Sequence, residues 1–160
     1  MTNPMDALIT LQPAIDSGEV QLQPCVLYKT LWVLVDYPMG ELRITYVAMA
    51  DGLAQAIAQF VPADPYEGLP CFSVGYAVFE QHRGRGLATT TVRDGISELH
   101  HGLRETGVTK FYVEAVVSPS NAPSNRIASR LLTASPAAIT DSYSGEPALQ
   151  YMKLIGADDT

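Results

Sequence analysis

The chain has 160 residues, 47% of them hydrophobic, which is enough for one domain with a full core. No apolar run reaches the ~18 to 20 residues that span a bilayer. The start, MTNPMDALITLQP, lacks the basic and long apolar regions of a signal peptide, so a single cytoplasmic domain over residues 1–160 is expected. Ten Lys and Arg against 17 Asp and Glu leave a net charge of −7, which argues against a nucleic-acid partner and mildly favours a cationic one. Cys25 and Cys71 lie far apart with no CxxC or CxxH neighbour, so free buried thiols are expected rather than a disulfide or a metal site.

Residues 5–17 read as one short helix interrupted by Pro13 and closed by Gly18. From Cys25 the residues turn β-branched and aromatic, and the stretch ending at Asp36 reads as a strand, followed by the turn Tyr37-Pro38-Met39-Gly40. ELRITYVAMA is the next strand, and Asp51-Gly52 is a two-residue hairpin signal. LAQAIAQFVP suits two helical turns by propensity, but its place between Asp-Gly and Pro62 favours a strand. Ala63 to Pro70 reads as a loop from its prolines and glycine, so the first 70 residues form an antiparallel meander.

Cys71 to Ala88, CFSVGYAVFEQHRGRGLA, organises the rest. Phe72, Val74, Tyr76 and Val78 share one face of a strand; Ser73, Gly75 and Ala77 leave the other face low, and Gly75 marks either a bulge or close packing. The strand runs into Gly84-Arg85-Gly86 and then a helix with Ala88, Val92, Ile96, Leu99 and Leu103 at helical spacing and Gly107 as its stop. Arg83 and Arg85 stand where the positive end of the helix macrodipole disfavours cations. The glycines supply no capping oxygen. An anion bound on the free N–H groups resolves both conflicts. His100 and His101, in the last turns, take a structural or solvated role.

KFYVEAVV is the next strand, with Glu114 flanked by apolar residues. Such a carboxylate is paired, hydrogen-bonded or raised in pKa, and it is the leading acid/base candidate; the competing reading is a structural carboxylate satisfied by a neighbouring strand or by Arg126 or Arg130. NAPSNRIASRLL is a second helix, capped by Asn121 or Ser120, with Pro123 in its first turn and Ile127 and Leu131 on its buried side. AAIT and LQYMKLI close the sheet around the turn Ser142 to Pro147, and GADDT is an acidic tail.

Gln81-His82-Arg83-Gly84-Arg85-Gly86 between strand and helix, with Asn121-Ala122-Pro123-Ser124 opening the second helix, resembles the GNAT superfamily of acetyl-CoA-dependent N-acetyltransferases from about Cys71 to Leu132. The resemblance implies an α/β (mixed α+β) three-layer fold: a mostly antiparallel mixed sheet with a splayed parallel central pair, flanked by helices. It implies that the pyrophosphate of acetyl-CoA (coenzyme A) sits on the N–H groups of Arg83, Gly84, Arg85, Gly86, Leu87 and Ala88, with Val78 and Phe79 beside the thioester and one of their N–H groups at the developing oxyanion. Asn121 then contacts the cofactor arm, and Ser124 reaches the arm or the sulfur. An amine must lose a proton before it attacks, and the resemblance favours Glu114 as base, with Glu80 as the alternative. Many family members carry a tyrosine on the second helix that protonates the thiolate; this chain has Ala128, Leu131 and Leu132 there, and Tyr143 is the candidate from the later loop.

The implied function is acetyl transfer from acetyl-CoA to a primary amine of a small molecule or peptide, by direct attack on the thioester and without a metal. The alternative is a GNAT-like domain that binds acyl-CoA without turnover, as a sensor or interaction module. The family's two helices after its first strand, which wall the acceptor site, find little room in the meander. The acceptor pocket is therefore open, formed by residues 1–24, or completed by a second subunit of a homodimer. Dinucleotide binding is disfavoured, because Thr89 replaces the third glycine of that fingerprint and a meander does not suit a doubly wound sheet.

Overall fold

The computed structural model describes residues 3–156, so the acidic tail from position 157 on lies outside the described residues. The chain opens with helix α1, Pro4–Asp16, capped by the Asn3 side chain on the Met5 N–H at 2.9 Å. Pro13 does not interrupt it. In the last turn proline removes one hydrogen bond shortly before the helix ends, and the N–H of Ser17 still reaches the Pro13 carbonyl at 3.0 Å.

Strands β1 (Gln23–Pro24), β2 (Leu31–Asp36), β3 (Arg43–Ala50), β4 (Leu53–Tyr66) and β5 (Leu69–Val78) form the meander. The expected strand from Val26 to Asp36 is shorter, because residues 25–30 turn back to pair Pro24 with Trp32. Their backbone is held from outside the sheet: the carboxylate of Glu98 accepts the N–H groups of Val26, Leu27 and Tyr28. The Asp51-Gly52 hairpin is as expected, both residues taking positive φ, 52° and 77°.

The expected loop from Ala63 to Pro70 is instead a continuation of β4 and β5, closed by a turn at Glu67-Gly68 with φ 49° and 78°. Pro62 is tolerated for a specific reason. In the β4–β5 ladder the N–H of Phe79 donates to the Gln55 carbonyl, so odd-numbered residues of β4 face β5 and even-numbered ones face β3. Pairing with β3 ends at Phe60, so the N–H that Pro62 lacks would point past the end of that strand.

After β5 come α2 (Leu87–Glu105), β6 (Phe111–Val117), α3 (Ala122–Leu131), β7 (Ala137–Thr140) and β8 (Pro147–Ile155). The eight strands form one sheet in the order β1-β2-β3-β4-β5-β6-β8-β7, antiparallel except for the β5–β6 pair. Leu8 and Leu11 of α1 pack on one face against Val47, Ala54, Ile57 and Ala77. The other face carries Tyr46, Ala58, Phe60 and Phe72 under Val92 and Leu99 of α2, with Ala128 of α3 on Ala115 and Val117. Residues 57 and 58 point oppositely because side chains alternate along a strand, which gives three layers, helix, sheet, helices.

Ala128, not Ile127 or Leu131, is the buried residue of α3; those two are half-buried. Gly75 marks no bulge, since it pairs in regular register with Gln59. Among the described residues no helix is long and apolar enough to cross a membrane.

Candidate active site

The site begins where two strands part. β5 and β6 pair only through Cys71–Tyr112, Phe72–Val113 and Ser73–Glu114, and beyond that register they separate. Phe79 donates to Gln55, so the backbone groups of Val74, Tyr76 and Val78 turn to the other edge of β5, the one that β6 has left. The Tyr76 groups and the Val78 N–H are therefore open to a ligand in extended conformation, while the Val78 carbonyl accepts Arg83 Nε and the Val74 N–H still belongs to the β6 ladder. Between the strands lies a cleft of about 960 Å³, lined in part by Ser73, Gly75 and Tyr76 of β5, Glu114 of β6, and Asn121 and Ser124 of α3.

At the far end of β5 the chain makes a 3-10 turn, Glu80–His82, and then reaches the glycines. Gly84 has φ 81° and Gly86, the N-cap of α2, has φ 73°, a left-handed conformation that costs an L-residue about 1 to 2 kcal/mol. Among the described residues no side chain caps α2. Among the described residues the N–H groups of Gly84, Arg85 and Gly86 meet no protein acceptor, and those of Leu87, Ala88 and Thr89 precede the first intrahelical bonds. A Cβ built on Gly84 or Gly86 would meet nothing within 4 Å, so the cradle is open as well as rich in donors. These features fit a phosphate group.

The topology has counterparts among solved structures. The chain matches the RimL ribosomal L7/L12 alpha-N-protein acetyltransferase in complex with coenzyme A at 18% identity and TM-score 0.52, over 72% of this chain and 64% of that one. A GNAT-family acetyltransferase from Streptococcus pneumoniae matches at 13% identity and TM-score 0.52, over 71% and 67%. The ribosomal-protein-S5-alanine acetyltransferase from Vibrio fischeri matches at 15% identity and TM-score 0.51, over 74% and 63%. This is the GNAT fold. The chain spans less than two thirds of the length of the first and third of these proteins. No protein-family model and no curated protein matches the sequence.

Within the GNAT fold the sequence-predicted residues divide into three groups. The loop residues Arg83 to Ala88 lie together at the mouth of α2, but not all of their amides are free: the Arg83 N–H already donates to the Glu80 carbonyl at 3.2 Å. Its guanidinium folds back so that Nε donates to the Val78 carbonyl at 3.1 Å, and Arg85 Nη2 meets His82 Nδ1 at 2.5 Å. Of the pair expected at an oxyanion, Phe79 has its N–H committed to Gln55, whereas that of Val78 faces the open edge.

The second group lines the cleft. Glu114 accepts Gln150 Nε2 at 2.9 Å, so a neighbouring strand and neither Arg126 nor Arg130 is its partner. Asn121 caps α3 by accepting the Ser124 N–H at 3.2 Å, and Ser124 Oγ lies 2.7 Å from the Tyr76 hydroxyl. Tyr143 lines the cleft from the β7–β8 turn but is 90% exposed.

Glu80, the third group by itself, is exposed in the 3-10 turn and does not line the cleft. Among the described residues no cluster of His, Cys, Asp or Glu is arranged to hold a metal.

Sequence reasoning missed Tyr76 and Gln150 as site residues. Tyr76 was visible only as one of four side chains on a strand face, and nothing in a linear pattern says that it meets Ser124, 48 positions later. Gln150 reaches Glu114 across a register that pairs Glu114 with Met152. Cys71 lies in this region too: burial first, then the Glu114 and Asp64 carboxylates, push its thiol up to about 12, so it is not a nucleophile at neutral pH.

Proposed function

We propose that this protein is an N-acetyltransferase that moves an acetyl group from acetyl-CoA to a primary amine by direct attack on the thioester. The observation that carries the reading is one continuous path: free amides at the uncapped start of α2, the open edge of β5, and the cleft that contains Glu114. The amides from Gly84 to Ala88 hold the pyrophosphate, and Arg85 adds positive charge. The Val78 N–H faces the carbonyl oxygen on which negative charge develops; an aligned donor of this kind contributes about 3 to 4 kcal/mol.

Glu114 removes the proton from the attacking amine, directly or through water. Its bond to Gln150 leaves carboxylate lone pairs for that task. The acceptor is a small-molecule or peptide amine, and the solved neighbours that act on ribosomal proteins support the peptide class. The protein works in the cytoplasm, with a homodimer as one way of walling the acceptor side.

Calorimetric titration of acetyl-CoA into the wild type and Arg85→Glu tests the phosphate site without straining a glycine. Binding in the wild type, weakened at least tenfold in the variant with an unchanged circular dichroism spectrum, is the expected result. Glu114→Gln then retains acetyl-CoA binding and loses acetyl transfer to an amine panel by about 10²-fold or more. Absence of binding to the wild type refutes the reading.

A second reading, acyl-CoA binding without turnover, draws support from the cover of the site: on the face that Glu114 shares, the buried core under α1 is made by β3, β4 and β5 and does not extend to β6. Tight binding with no transfer to any amine would select it.

A further inference from the structure

Attack on a thioester leaves a thiolate, and one hydroxyl in the cleft is built to meet it. Tyr76 is half-buried on the face of β5 that carries α2 and α3, and its hydroxyl lies 2.7 Å from Ser124 Oγ at the start of α3. Both residues line the cleft. On the sheet side of α3 the buried residue is Ala128, a side chain with no proton to give. Two other phenols line the cleft. Tyr143 is 90% exposed, and Tyr66 packs edge-on against Tyr112 at 4.8 Å in the β4–β5 hairpin.

The order along β5 decides which part of a donor comes to Tyr76. An arm whose phosphates rest on the amides at Gly84 to Ala88 and which follows the open edge passes Val78 first. Tyr76 lies two residues, about 6 to 7 Å, further along. A thioester whose carbonyl oxygen rests on the Val78 N–H therefore has its sulfur within that span of Tyr76, a distance that a tyrosine side chain covers.

We propose that Tyr76 donates the proton to the leaving sulfur, with Ser124 as the relay that restores it; this rests on the acetyl-CoA reading above. The amine lone pair forms the bond to the carbonyl carbon, the carbon–sulfur bond breaks with its electron pair on sulfur, and the sulfur takes the proton from Tyr76 Oη. The phenolate takes a proton through the Ser124 hydroxyl from solvent, and the proton shed by the amine goes to Glu114 or water. The balance leaves an acetamide, a free thiol and a restored phenol.

A test without any acceptor uses coenzyme A itself, whose thiolate stands for the leaving group. It is titrated calorimetrically into wild type, Tyr76→Phe, Ser124→Ala and Tyr143→Phe, and the bound thiol is titrated with pH by thiolate absorbance. Among the described residues the other ionisable side chains lining the cleft, Glu41, Asp64, Glu114, Asp141, Tyr66 and Tyr143, are the same in wild type and Tyr76→Phe. A hydrogen bond to the thiolate lowers its pKa, so the bound thiol ionises about one pH unit lower in the wild type than in Tyr76→Phe, with Ser124→Ala between them.

Equal titrations in wild type, Tyr76→Phe and Ser124→Ala, with coenzyme A bound in all three, overturn the assignment of Tyr76 alone. A shift in Tyr143→Phe and not in Tyr76→Phe overturns it in favour of Tyr143. Absence of coenzyme A binding to the wild type overturns the acetyl-CoA reading itself.

Discussion

Two thiols and a phenol behave as buried groups and set how the protein responds to alkali. Cys25 is pushed up to about 12 from its ordinary 9.0 by burial and then by Glu98, and Cys71 rises to about 12 by burial and then by Glu114 and Asp64. Burial raises Tyr46 as well. Well below pH 9.0 the thiols are neutral folded or unfolded and contribute almost no pH dependence. Above it the unfolded chain loses protons that the folded one retains, so stability falls as pH rises from 9.0 toward 12. Urea unfolding over that range is expected to show the fall, with a shallower slope in Cys25→Ala. At pH 8 the thiols of the folded protein should alkylate far more slowly than those of the urea-unfolded chain.

At the scale of elements, Glu98 does more than its helix requires. It is 6% exposed on the buried face of α2, and its carboxylate gathers three N–H groups from residues 26–28, joining the turn before β2 to α2. Those amides would otherwise have to find water or go unpaired. Charge-assisted bonds to amides are among the stronger ones in proteins. Glu98→Gln, which turns an NH₂ toward donors, is expected to cost about 2 kcal/mol in urea unfolding and to increase amide exchange at Val26, Leu27 and Tyr28. An unchanged exchange rate there would show that the tether carries none of the order of that turn. The expected stripe on α2 included Val92 and Leu99, which are buried, but not Asp94 or Glu98, which are buried too. A carboxylate at a core position reads as surface until the backbone it caps is known.

Across the whole molecule, charge and topology converge on the cleft. Among the described residues it is lined by Glu41, Asp64, Glu114 and Asp141 and by no Lys, Arg or His, while the cations Arg83 and Arg85 stand at the other end of β5. In the proposed reaction the donor's phosphates and a cationic acceptor would thus be drawn to different ends of one path. Initial acetylation rates at low salt should be higher for a polyamine than for a neutral amide-blocked amine of similar size. Raising ionic strength from about 0.01 to 0.15 M should shrink the difference, because the screening length falls from about 30 to 8 Å. Equal rates for the two amines at low salt would exclude charge as the basis of selection.

The sequence by itself determined the elements whose causes are local. The αL glycines, the missing cap and misplaced arginines at the start of α2, the Asp51-Gly52 hairpin and the Asn121 cap each depend on a few neighbouring residues. It also carried the GNAT fold, through the order strand, glycine turn, helix, strand, helix. Tertiary structure alone decided what depends on register and on partners distant in the chain. Pro62 sits inside a strand because β3 ends at Phe60. The Val78 N–H is open and that of Phe79 is not because of which residues of β4 face β5. Glu114 meets Gln150, and Tyr76 meets Ser124, because the parting of β5 from β6 brings residues 36 and 48 positions apart to one cleft. Hydrogen bonds of that kind are made by folding, and a linear pattern records the groups without recording which of them will meet.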